Sequence, residues 1–466
     1  MSGPMFLEPG GAEQDTLAIR LAVPRTRRFL DDATLAIRLP PKGPDEEAVS
    51  ALAAELADRV GPAVHPYEVA ALLEADGLSA SLIKERYGHP TLFSLAAALY
   101  ERVPRTFPEP AAPDDPWRPD TARCLLRGLL FALPAVAYLL TAPLWRVDEH
   151  APVLITAGVV SWAWGQALGH RAHLRLATGR REASRTLLKG SVLGAAVATG
   201  LAAIPAGGGP ATAAAAAQSL YLAAAGVLLV LGRERLLLAA LSPLMAGVVL
   251  LPWWEPGALL RLTFPLLALL ATLAVALRVL GSGFAVPVVA GGPRPRLRAS
   301  VPYGLFGLAA AVLVTLEGRR DPYAVIVLTL SMGPAEWLLY RYRGWSVAAL
   351  RASATPRAFL LRSSGVLALC LSCYLPLLLV PALLMGSGPA ALLSLAAVLW
   401  TALLLQAFGV AWPPAALCGA AAVTAAAVTG AAPSPGSGVL PVVCSVAAVC
   451  LAACVVALLG RPSPHV

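Results

Sequence analysis

The sequence predicts an all-α integral membrane protein: about 12 transmembrane helices in two pseudo-repeated six-helix halves, preceded by a small, mainly helical cytoplasmic domain. Three observations carry that prediction. The chain is 58% hydrophobic and 14% charged with a mean hydropathy of +0.70, whereas soluble domains are about 45–50% apolar and about 25% charged. From residue 124 onward, apolar stretches recur at close to the roughly 20 residues that cross a bilayer core. Basic residues also gather mainly in alternate connections, as topology-setting charge does.

The charge is divided along the chain. Residues 1–120 hold 19 of the 27 acidic residues and 12 of the 36 basic ones, a net of −7; residues 121–466 hold 24 bases against 8 acids, a net of +16. The overall +9 is therefore no nucleic-acid footprint, because the excess bases sit between apolar segments and report orientation. Acidic residues come early and no apolar h-region follows the start, so no signal peptide is read. The seven cysteines (Cys124, Cys370, Cys373, Cys418, Cys444, Cys450 and Cys454) fall in or beside apolar stretches and read as small buried hydrophobes. Cys370 and Cys373 form a C-x-x-C without other ligands nearby, so no metal or cofactor is expected.

The N-terminal cytoplasmic domain is read over residues 1–103. Residues 16–21 and 34–39 repeat the run Thr-Leu-Ala-Ile-Arg-Leu, whose two-residue alternation suggests a strand pair within 1–45. Residues 46–103 are helical by period. Val49, Leu52, Leu56 and Val60 mark a first helix; the second runs from His65 to Glu74 and stops at Asp76-Gly77. Ser79 caps a third that ends at Tyr87-Gly88, and Thr91 to Val103 makes a fourth. Residues 104–123 are a Pro-rich linker.

The first six-helix half is assigned to 124–280, with spans at 124–144, 151–169, 187–205, 211–231, 235–253 and 260–280. A basic cytoplasmic connection, 281–300, leads to the second half, 301–459, with spans at 301–317, 323–340, 364–385, 389–408, 411–431 and 438–459. A cytoplasmic tail, 460–466, follows. The Ala- and Gly-rich spans 211–231 and 411–431 suit close helix packing in lipid. Even-numbered connections carry the positive charge: Arg171, Arg175, Arg180, Arg181, Arg185 and Lys189; Arg233 and Arg235; Arg294, Arg296 and Arg298; then Arg341, Arg343, Arg351, Arg357 and Arg362. Odd connections are short and weakly charged, apart from Arg319-Arg320, which Glu317 and Asp321 partly offset. Both termini are therefore expected in the cytoplasm of a multi-pass cell-membrane protein.

An internal duplication is suggested 170 residues apart. Ser161-Trp162-Ala163-Trp164-Gly165-Gln166 can be laid on Ser331-Met332-Gly333-Pro334-Ala335-Glu336, with Leu168 on Leu338 and Arg171 on Arg341. Each copy precedes one of the longest basic connections. Two halves of six helices, in parallel orientation, are a common transporter plan with a central site.

Within the spans, candidates for chemistry are few. Glu336 reads as the only carboxylate inside a span, and an ionisable group at membrane depth is a functional candidate by default. Two bland alternatives compete with it: snorkelling to the interface, or pairing with Arg341. Gln166 is its repeat mate, and Pro334 loosens the helix beside it. Arg127, one turn into the first span, is either a snorkelling anchor or a cationic contact for a phosphate. Trp162 and Trp164 lie deeper than an interfacial belt and either pack or stack on a sugar ring. These five are the candidate substrate-binding or gating residues.

Enzyme readings fare poorly. Asp148-Glu149 follows the first span, but its connection is too short for a glycosyltransferase, and no large outer loop suits a polymerase or ligase. Neither a P-loop nor a Gly-rich dinucleotide fingerprint is present, and His170 and His173 lack acidic partners for a metal.

With twelve spans in two sixes and a basic second-to-third connection in each half, residues 120–466 resemble polysaccharide-exporter flippases of the multidrug/oligosaccharidyl-lipid/polysaccharide class. Major facilitator proteins are less similar: Gly179-Arg180-Arg181 matches the end of their loop motif, but its Asp is missing. The flippase class starts directly at its first helix, so residues 1–103 are an addition. The resemblance implies a translocator that moves a lipid-linked or amphipathic polysaccharide precursor, with membrane lipids around it. Two alternatives stand beside it. One is a non-transporting scaffold that recruits an envelope-synthesis enzyme, a cytoplasmic protein partner, through the N-terminal domain; the other is a proton-coupled small-molecule antiporter.

Overall fold

A computed structural model describes residues 44–106, 118–144, 147–251, 253, 255–287, 296–386, 388–431 and 438–461. The repeat at 16–21 and 34–39, with its expected strand pair, lies outside the described residues. Among the described residues every regular element is a helix. They fall into two compact units, one ending at residue 106 and the other beginning at 118.

The first unit contains α1 (Pro44–Glu55), α2 (Ala57–Val60), α3 (Pro66–Ala75), α4 (Ala80–Tyr87) and α5 (Leu92–Arg102). One apolar face of each helix turns inward, burying Val49, Val69, Leu73, Ile83, Leu95 and Leu99 in a single core. Polar caps fix the helix starts. The Ser79 hydroxyl accepts from the Leu82 amide, and Thr91 and Ser94 form a reciprocal capping box. Gly88, at φ 69°, closes α4 in the left-handed conformation that glycine adopts without strain. The first helix expected from Glu46 to Val60 is divided at Leu56 into α1 and α2. Arg59 spans the unit to Asp76 with two parallel hydrogen bonds of 2.8 and 2.9 Å.

The second unit holds ten helices, among its described residues, that are long and apolar enough to cross a membrane, and eleven if one bent pair counts as a span. The first is α6 (Thr121–Ala132) continued by α7 (Ala135–Thr141), with Pro134 at the junction. Then come α8 (Val147–Leu176), α9 (Arg180–Ala206) and α10 (Pro210–Val230). The expected span over 235–253 is instead two short helices, α11 (Glu234–Ala240) and α12 (Ser242–Leu250). Next are α13 (Ala258–Phe284) and α14 (Val301–Arg320); α15 (Pro322–Leu330) and α16 (Met332–Arg351) form the bent pair, at 43°. The last four are α17 (Pro356–Leu384), α18 (Pro389–Ala407), α19 (Trp412–Ala431) and α20 (Val439–Leu459).

Large aliphatic side chains point outward along these helices, including Val192, Ile204, Leu270, Leu361, Val423 and Val446. Continuous apolar surface of this kind suits hydrocarbon, not water. Much of the basic charge read as loop belongs to helix ends. Arg171, His173 and Arg175 lie in α8, while Arg180, Arg181, Arg185 and Lys189 lie in α9, because both helices extend beyond their apolar stretches. Arg341, Arg343 and Arg351 likewise lie in α16.

Two helix crossings organise the middle of this unit. Helix α6 packs on α15 and α16, and α8 packs along α14. Both crossings are made by small residues. A Cβ on Gly128 of α6 would stand 2.9 Å from the Gly333 nitrogen of α16. A Cβ on Gly307 of α14 would stand 3.1 Å from the Ala163 Cα of α8. Backbones approach this closely only where side chains are absent or minimal.

Candidate functional site

The Gly128–Gly333 crossing brings charge into the bundle. Asp120 caps α6 by accepting from the Arg123 amide at 3.1 Å, and the helix then sets Arg123 and Arg127 one turn apart on one face. Glu234 opens α11 just after Gly232, whose φ of 66° turns the chain out of α10. Glu336 lies in the first turn and a half of α16, beyond the bend at Ser331.

These side chains form one network. Arg127 donates from Nη2 to Glu234 Oε1 at 2.7 Å and from Nε to the same oxygen at 3.0 Å. Its Nη1 pairs with Glu336 Oε1. Arg123 adds a hydrogen bond from Nε to Glu234 at 2.9 Å, and its Nη2 lies 2.8 Å from the same oxygen as an ion pair. The Arg127, Glu234 and Glu336 side chains are 13%, 6% and 10% exposed, whereas Arg123 is 47% exposed and forms the outer rim. Two arginines and two glutamates leave no net charge, the condition under which ions are tolerated away from water. Trp337 beside the cluster donates to the Thr121 hydroxyl at 3.2 Å, fixing α16 against the start of α6.

Several expectations change accordingly. Glu336 pairs with Arg127 and not with Arg341, whose guanidinium lies over the Trp337 ring at 4.8 Å. Arg127 is held by two carboxylates, Glu234 and Glu336. Glu336 is not the only buried carboxylate: Glu317, in α14, is 3% exposed, and Glu234, at the start of α11, is 5% exposed. Glu234 escaped notice because Arg233 and Arg235 flank it, and Glu317 because it was set against Arg319-Arg320. The available signals were Gly232, a helix terminator followed at once by Glu234 and an apolar run, and the four-residue spacing of Glu317 from the buried Leu313.

Gln166 does not join this network. It is buried at the other crossing, where Gly307 of α14 packs against its Cγ. One turn further along α8, His170 stacks on Tyr303 with ring centroids 3.8 Å apart, and its Nδ1 lies 3.1 Å from the Ser300 hydroxyl. Trp164 faces α9, donating to the Gly190 carbonyl at 2.8 Å. The Trp162 indole nitrogen is buried without a hydrogen-bond partner among the described residues. Trp164, Ser161, Ser191 and Ser219 line a cavity of about 30 Å³ between α8, α9 and α10, room for a water molecule or two and not for a sugar ring.

Among the described residues, no three His, Cys, Asp or Glu side chains come together as a metal site. Compared with known proteins, the chain matches no family model, no curated protein and no solved structure.

Proposed function

We propose that this chain is a translocator of two pseudo-repeated six-helix halves that carries a lipid-linked or amphipathic polysaccharide precursor across the cell membrane. The observation that carries this reading is the Arg127 network. On that division, Arg127 and Glu234 belong to the first half and Glu336 to the second, so one guanidinium ties the halves together at one end of the bundle. Alternating access requires such a tie to form and release as the halves rock. With Glu336 withdrawn, Nη1 of Arg127 is released to take an anionic phosphate headgroup while Nε and Nη2 stay on Glu234.

Support for two related halves comes from the matched crossings. Laying residue 163 on residue 333 superposes Ala163 on Gly333, the small residues of α8 and α16 at which α14 and α6 cross. The same alignment sets Gln166 on Glu336, each three residues past its crossing. Twelve spans result if the broken pairs α11–α12 and α15–α16 each count as one. The alternation of basic helix ends supports cytoplasmic termini.

Export of the glycan precursor in cells carrying Glu336→Gln or Arg127→Ala tests this reading. Loss of export at unchanged membrane abundance is expected; full export by both variants overturns the assignment. A second reading has its own support. Tyr67 and Phe93 are exposed on the N-terminal unit and meet edge to face at 5.6 Å, an aromatic patch suited to a protein partner. If the chain is a recruiting scaffold, deleting residues 1–110 abolishes function while both network variants retain it.

A further inference from the structure

The Arg127 network accounts for Glu234 and Glu336, and leaves Glu317 unexplained. Glu317 sits one turn from the end of α14, on a helix that packs against α8, α15, α18 and α19. The residue is 3% exposed, and its Oε2 is buried with no hydrogen-bond partner among the described residues. Its surroundings are apolar: Leu313, one turn earlier, is fully buried in the large cluster that includes residues of α15, α18, α19 and α20. The geometry thus contrasts with that of Glu336, where a guanidinium meets the carboxylate directly.

Among the described residues, no charged or titratable group around Glu317 hydrogen-bonds its buried Oε2. Arg320 and Asp321 are the charges whose fields reach it. Asp321 is committed to capping α15, where its Oδ1 accepts from the Tyr323 and Ala324 amides at 3.0 and 3.3 Å. Arg320 forms no hydrogen bond to the orphaned oxygen, and Arg319 is exposed. From neighbouring elements, α8 brings Glu149 and His150 in its first turn, both already partnered. Helix α15 brings the exposed Tyr323, α19 the buried Cys418, and α20 the buried Cys444, which lies within the field of Glu317; α18 brings no ionisable group.

A buried carboxyl oxygen with no donor is tolerable in apolar surroundings if the group carries a proton and so bears no charge. We infer that Glu317 is a proton-binding site. It is a neutral acid while the end of α14 is packed as seen, and it releases its proton when that end opens to water. This goes beyond the translocator reading and does not rest on it. If that reading also holds, Glu317 supplies a coupling ion site on the helix that crosses α8, separate from the tie at Arg127.

A hydrophobic carbodiimide tests the inference, because it reacts with neutral carboxyl groups in apolar surroundings and not with ion-paired carboxylates. The full-length protein is labelled in native membrane vesicles across a pH series, and adducts are mapped by mass spectrometry. Glu317 is expected to label while Glu234 and Glu336 do not, and the adduct is expected to fall by about tenfold per pH unit once the acid ionises. Sodium at fixed pH is expected to leave labelling unchanged. Failure of Glu317 to label at any pH, labelling independent of pH, labelling concentrated on Glu336, or protection by sodium each overturns the inference. A second measurement needs no reagent: the infrared carboxylic-acid C=O band of the wild type is expected to diminish in Glu317→Gln. An unchanged band from a folded variant also counts against the inference.

Discussion

Gly128 and Gly333 cross so closely that a Cβ added to Gly128 would lie 2.9 Å from one backbone atom of Gly333 and 3.1 Å from another. Neither contact is with a side chain that could swing aside. Gly128→Leu is therefore expected to destabilise the bundle by about 1–3 kcal/mol through overpacking, whereas Gly200→Ala, which meets nothing within 4 Å, is expected to be neutral or slightly stabilising. Thermal unfolding of the purified variants in detergent compares them; equal midpoints for Gly128→Leu and wild type would show that the crossing yields.

Removing Arg127 strands Glu336 without a countercharge and leaves Glu234 to Arg123. Breaking a buried pair from one side typically costs about 3–5 kcal/mol, and Arg127→Ala is expected in that range. Glu336→Gln is expected to cost less, since Arg127 keeps Glu234. The double variant should recover part of the Arg127→Ala loss. Chemical unfolding of all four proteins gives the coupling, and simple additivity would count against the network.

The ion pair of the N-terminal unit titrates in a defined direction. The hydrogen bonds from Arg59, and its charge, hold the exposed Asp76 carboxyl below its ordinary range. A depressed folded-state value means the contribution is present above the unfolded value of about 3.9 and disappears as pH falls through the folded one. Because both groups are exposed, the effect is small. Limited proteolysis of the full-length protein should show Asp76→Asn cut faster than wild type near neutral pH, with the difference vanishing at the acid end. A difference that widens in acid would contradict the assignment.

The capping box of α5 offers a simpler check. Thr91 and Ser94 satisfy each other's amides at the helix start, at 3.2 Å in both directions. Thr91→Ala is expected to cost about 1 kcal/mol, read as faster hydrogen exchange in the first turn of α5. Exchange confined to its last turn would point elsewhere.

That the helices are long and apolar enough to cross a membrane was plain in the sequence because hydropathy is a local property, summed over about 20 neighbours. The caps at Ser79 and Thr91 were equally local, each needing one side chain and an amide three residues on. What escaped was anything requiring distant partners. Arg127 and Glu336 were each singled out, yet nothing in either neighbourhood shows that they meet across 209 positions. Gln166 and Glu336 looked alike by alignment, but their company differs: α14 presents the Gly307 backbone to one, and α6 presents a guanidinium to the other. The division of the fifth apolar stretch also went unseen, since Ser242-Pro243 at the start of α12 sits within residues that are apolar on both sides.

The separation between Arg127 and Glu336 bears on how the protein is made. At roughly 5–20 residues per second, a ribosome that has released Arg127 needs on the order of 10–40 s to deliver the carboxylate that completes its pairing. Glu234, the other partner, follows 107 positions after Arg127, so for about the first half of that interval the arginine has neither carboxylate. The contact between α6 and α16 is thus completed late in synthesis, and a chain truncated before residue 336 lacks one of the two carboxylates that hold Arg127.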